Sequence, residues 1–137
     1  MWILYAVLSA IFAAFTSILA KMGLKEVNSN LATAIRTIVV LVMAWGIVLL
    51  NGSHKDISKI DGKTLTFIVL SGIATGASWL FYFKALQTGE ASKVVPIDKL
   101  SVVITIVLAY FLLGEGINLK TAMAGILITM GTLLLVL

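Results

Sequence analysis

The stretch WLFYFKALQTGEASKVVPIDKLSVVITIVLAYFLLGE, residues 79–115, sets an apolar run on either side of a charged centre. Residues 100–114 hold no charged side chain, and neither do residues 64–83, which enter the stretch from the other side. Lys84, Glu90, Lys93, Asp98 and Lys99 lie between them, around Pro96, the only proline in the chain. A helix rises 1.5 Å per residue, so runs near 20 residues match a hydrocarbon core about 30 Å thick. The stretch therefore reads as the end of one spanning helix, a turn, and the helix that returns.

Working outward, residues 1–20, 37–50 and 121–137 are also free of charge. Five helices are expected, at about 2–20, 31–50, 64–86, 95–113 and 119–137. The 137 residues are 61% hydrophobic and 12% charged, against about 45–50% and about 25% in a soluble domain. The fold class is all-α, an integral membrane protein of five transmembrane helices in a single domain over 1–137. The first run is read as a span rather than a cleaved signal, because it lacks a basic leader and exceeds the usual apolar length. The connections KMGLKEVNSN, NGSHKDISKIDGK, QTGEASKV and GEGIN carry the Gly, Asn and Ser of turns. Asn30 is expected to cap the second helix and Asn118 the fifth.

Five spans put the termini on opposite sides, and the Lys and Arg balance of the loops should then set orientation. One side holds Lys55, Lys59, Lys63 and Lys120; the other holds Lys21, Lys25 and Lys93, joined by Arg36, Lys84 and Lys99 if these snorkel. The sign of the bias depends on that choice, so insertion in both directions is compatible with the sequence. The net charge of +4 points to anionic lipid, not nucleic acid. No cysteine is present, which excludes disulfides and thiolate metal ligands. No phosphate loop, metal-ligand spacing or nucleophile–base pair occurs, and His54 stands alone in a charged loop. Neither an enzyme, a cofactor nor a metal is expected.

Hydroxyl and aromatic residues recur at helical spacing. Ser71, Thr75, Ser78 and Tyr82 form one stripe on the third helix, with Trp79 beside it and Gly72 and Gly76 as a small-residue pair. Tyr5, Ser9 and Thr16 share a face of the first helix, and Asp98, Ser101 and Thr105 one of the fourth. Two readings of these faces stand together: walls of a polar cavity, or hydroxyls that bond their own backbone and glue helices. Arg36 either snorkels from the second helix or binds an anion, with Thr33 and Thr37 on its side. Asp98 is read in the first turn of a helix begun by Pro96, where the dipole favours a carboxylate; a substrate-facing helix N-terminus is the alternative. Glu115 closes the fourth helix and is expected to find a partner, Lys120 or a backbone donor.

The segment from Ala85 to Gly131 resembles the EamA-type branch of the drug/metabolite transporter superfamily. The resemblance is carried by Ala85, Leu86, Gly89, Ala91 and Ser92 at the turn, Pro96, then Leu113, Gly114 and Glu115, and by Gly125, Ile128 and Gly131 in the last helix. It implies a half-transporter unit that pairs into a homodimer, parallel or antiparallel, in a prokaryotic inner or plasma membrane. Its first four helices would bound the path of a small polar metabolite such as an amino acid, moved by alternating access. Many such proteins carry a second proline where Ser101 stands. Related small multidrug exporters use a glutamate on the first helix; here that helix has no carboxylate, which disfavours their mechanism. Candidate solute-binding residues are Arg36, Thr75, Ser78, Trp79, Tyr82, Asp98, Ser101 and Thr105. The alternatives are a non-transporting scaffold and a small-multidrug-type exporter.

Overall fold

A computed structural model describes residues 1–137. The chain is helical throughout: α1 (Trp2–Gly23), α2 (Ser29–Leu50), a 3-10 segment (Ser53–Lys59), α3 (Gly62–Thr88), α4 (Ala91–Asp98), α5 (Leu100–Leu108), a π-helical turn (Ala109–Leu113) and α6 (Leu119–Val136). Taken together, α4, α5 and the π turn form one span, so five segments are long and apolar enough to cross a membrane. Large apolar side chains are exposed along all of them, as expected where the solvent is lipid.

Three polar side chains start helices by accepting orphan N–H groups. Asn118 does so for α6, its Oδ1 accepting from Thr121 N at 2.9 Å. For α2 the cap is Asn28 rather than Asn30: Asn28 Oδ1 accepts from Asn30 N at 2.9 Å and Leu31 N at 3.4 Å. The helix thus begins two residues before the apolar run, since capping depends on backbone geometry and not on hydropathy. Asp61 opens α3, its Oδ2 accepting from Lys63 N and Thr64 N at 3.1 and 3.2 Å.

Hydrogen bonds from the Thr64 hydroxyl, then from its backbone N–H, hold the Asp61 carboxyl below its usual range. A depressed carboxylate stabilises the fold above its unfolded pKa of about 3.9 and loses that contribution as pH falls through the lower folded value. The first turn of α3 is therefore expected to fray below about pH 4. Amide exchange at Thr64 and Leu65 checks this, and Asp61→Ala should remove the pH dependence.

The fourth span differs most from expectation. The turn between spans is only Gly89 and Glu90, and α4 starts at Ala91 with the Lys93 and Val94 amides bonded to the Glu90 carbonyl. Pro96 is the sixth residue of α4, inside the helix. It deprives only the Ser92 carbonyl of a donor, a loss that spanning helices tolerate. Asp98 therefore ends α4 instead of occupying a first turn, and the dipole argument for its carboxylate does not hold. At the far end Gly114 adopts φ 69°, where a side chain costs about 1–2 kcal/mol. Its N–H and that of Glu115 both return to Ala109 O, closing the π turn. The Glu115 side chain pairs with neither Lys120 nor a backbone donor.

The chain divides into two compact units, Met1–Leu19 with Thr88–Leu137, and Ala20–Gln87. In the first, α6 packs along both α4 and α5. Gly125 is buried where a Cβ would meet Val103 Cγ1 at 3.9 Å, and buried Thr132 donates to Pro96 O at 3.3 Å. In the second, Ala20, Leu24, Ser29, Thr33, Phe83 and Leu86 are buried. They join the end of α1, the start of α2 and the end of α3. Lys21 Nζ donates to Leu86 O at 2.6 Å, and Gln87 Nε2 donates to Leu24 O and Val27 O at 3.4 and 2.8 Å. A cation on the last carbonyls of α3 complements its dipole.

Candidate functional site

In the Ala20–Gln87 unit, Arg36 is the eighth residue of α2, about 10 Å from the helix start at 1.5 Å per residue. Its guanidinium lies over the Phe83 ring, with Cζ 4.0 Å from the centroid. Phe83 is 2% exposed and Leu86, one turn on, is 0%, so the ring is a fixed platform and not a mobile surface group. Tyr82 meets Phe83 edge-on, centroids 5.4 Å apart at 66°. Cation–π contact of this kind contributes about 0.5–2 kcal/mol, more as water is excluded. It holds the guanidinium against the ring, and the N–H groups along the guanidinium edge are the ones that can bond other partners. Nη1 on that edge is buried and has no hydrogen-bond partner.

The hydroxyls nearest in sequence to Arg36 are spent on their own helix. Thr33 Oγ1 donates to Ser29 O and Thr37 Oγ1 to Thr33 O, each at 2.8 Å. The same holds on α3, where Thr75 Oγ1 donates to Ser71 O at 2.9 Å. Thr75 and Ser78 are exposed, Trp79 and Tyr82 half-buried. Thr75 stands eight residues before Phe83, about 12 Å along α3. Thus Tyr82 and Arg36 flank one buried ring, while Thr75 and Ser78 lie one to two turns further along α3. Lys84 points elsewhere, its Nζ 3.5 Å from Gln87 Oε1.

In the other unit Asp98 Oδ2 accepts from Lys99 Nζ at 3.2 Å. The Lys99 side chain is half exposed and that of Asp98 about a third, and a pair so solvated contributes at most about 1 kcal/mol. Ser101 and Thr105, on α5, are exposed. Asp98 belongs to α4 and the chain turns at Lys99 before α5 starts at Leu100. The face expected to join Asp98, Ser101 and Thr105 therefore spans a helix break.

Phe83 was not among the residues the sequence singled out, although it does the most to position Arg36. The signal was the aromatic run Trp79–Phe83, WLFYF, in which Phe83 is one turn from Trp79. What hid it is that no local pattern says which ring of such a run is buried. No group of acidic, histidine or cysteine residues is arranged to hold a metal ion.

A protein of Sinorhizobium sp. described as an uncharacterized transporter in the cobO 3′ region is 46% identical over 134 residues, covering 98% of this chain and 95% of the relative. An uncharacterized protein of Methanocaldococcus jannaschii is 29% identical over 133 residues, covering 97% and 94%. No solved structure matches. The profile of the EamA-like transporter family matches residues 1–137, the whole of the chain described above. With five helices able to span a bilayer and that match, the chain belongs to the EamA-like transporter family and is a multi-pass membrane transporter of the drug/metabolite superfamily.

Proposed function

We propose that this chain is a secondary transporter that moves a small polar metabolite, such as an amino acid, by alternating access, and that it works as a homodimer. The observation that carries the reading is a permanent cation inside a spanning helix with a buried donor atom left unpaired. Such charges are rare in membranes and mark solute paths. Arg36 supplies charge recognition, with Tyr82 and Trp79 as wall and Thr75 and Ser78 as polar lining of α3. In the other unit, Asp98, Ser101 and Thr105 are the candidate polar groups of the fourth span, taken by itself.

A second reading is favoured by the hydroxyl geometry. Thr33, Thr37 and Thr75 all bond their own backbone, as expected of a scaffold whose polar residues tune helix packing. Water separates the two. Cysteines placed singly at Thr75 and Ser78, in a chain with no native cysteine, should react with a membrane-impermeant maleimide in proteoliposomes if a solute cavity exists. Both remaining unlabelled, while reacting fully in detergent, would favour the scaffold.

A further inference from the structure

We infer that the solute carries a carboxylate, and that the Arg36 edge bearing Nη1 receives it. This rests on the transport reading and names its substrate class. Arg36 is the only arginine in the chain, and α1, α2 and α3 contain neither aspartate nor glutamate. Arginine keeps its charge at any accessible pH. A charge of this kind within a span is costly unless it is paired. The structure gives it a ring for one face but no partner for Nη1. The missing partner is therefore an acceptor that arrives from outside these three helices.

The chemistry of that acceptor follows from what the site holds and what it lacks. The N–H groups of a guanidinium lie in its own plane, and this fork matches a planar carboxylate through two parallel bonds. One cation neutralises one negative charge, whereas a phosphate dianion would leave net charge in a medium of low dielectric. A phosphate also needs donors for three oxygens, yet the hydroxyl protons of Thr33 and Thr37 are committed to Ser29 O and Thr33 O. The site fits a small monocarboxylate and serves a phosphorylated metabolite poorly.

A single arginine makes the test direct. The purified full chain, in phosphatidylcholine proteoliposomes, is treated with phenylglyoxal, and the adduct on the Arg36 peptide is followed by mass spectrometry. Acetate, lactate and glycine are each compared with the matching amide, acetamide, lactamide and glycinamide, and with inorganic phosphate. At five times its Kd a bound carboxylate should slow modification about sixfold by simple occupancy, while its amide and phosphate leave the rate unchanged. Modification with no protection by any of the three acids overturns the carboxylate assignment and leaves the transport reading standing, as does equal protection by amides or phosphate. An Arg36 that stays unmodified while cysteines at positions 75 and 78 label also overturns it. If those cysteines are silent too, the transport reading falls with it. Full modification in denaturing detergent controls for the reagent.

Discussion

Phe83→Ala is expected to destabilise the protein by about 3 kcal/mol, the low end of the range for Phe→Ala, because the unfolded span is solvated by lipid and not by water. The ring is buried at the convergence of α1, α2 and α3, with Leu86 sealing the adjacent turn. Removing it opens a cavity and withdraws the platform under Arg36. Thermal unfolding in detergent, followed by exposure of single cysteines, reads the first effect. The phenylglyoxal rate at Arg36 reads the second and should rise, since the side chain is no longer pinned. Phe83→Leu separates the two: it restores most of the volume, so stability should return to within about 1.5 kcal/mol, but the guanidinium should remain unpinned. A Phe83→Ala protein as stable as the parent would show that this cluster does not hold the unit together.

Arg36→Leu is expected to lower uptake of a 14C-labelled neutral amino acid mixture into proteoliposomes about 100-fold. A charge-assisted hydrogen bond contributes about 1.5–3 kcal/mol, and about 1.4 kcal/mol is a factor of ten, so losing the bidentate pair accounts for two decades. Arg36→Lys keeps the charge but not the fork and should lose about tenfold. Lys59→Gln serves as control, since Lys59 lies in the 3-10 segment and pairs with Asp56 on the surface. Leucine is compatible with a lipid-facing or packed helix, so the folded protein should be recovered. Uptake by Arg36→Leu equal to that of the parent would remove Arg36 from the solute path.

Much of the architecture is legible in the sequence. Long charge-free runs separated by polar turns are a local property, and a bilayer makes that property decisive by excluding unsatisfied backbone. The Asn118 cap follows from equally local chemistry. The start of the fourth span was misplaced because Pro96 reads as a helix opener in isolation, whereas α4 simply carries it. That error moved Asp98 from a first turn to a helix end and changed its electrostatic meaning.

The candidate site was legible only in part. Arg36 was conspicuous as a charge in an apolar run, but its two fates, snorkelling or binding, differ only in where the side chain goes. The sequence by itself determined the membrane class, the five spans, the family resemblance and the identity of the lone arginine, because each depends on composition or short-range spacing. Only the tertiary structure decided that Arg36 sits on Phe83, that Nη1 is left unpaired, and that Thr132 meets Pro96. The physical reason is that a spanning helix is apolar around nearly its whole circumference. Its pattern therefore does not mark which face meets a neighbour, and contacts between residues distant in the chain are set only when the helices pack.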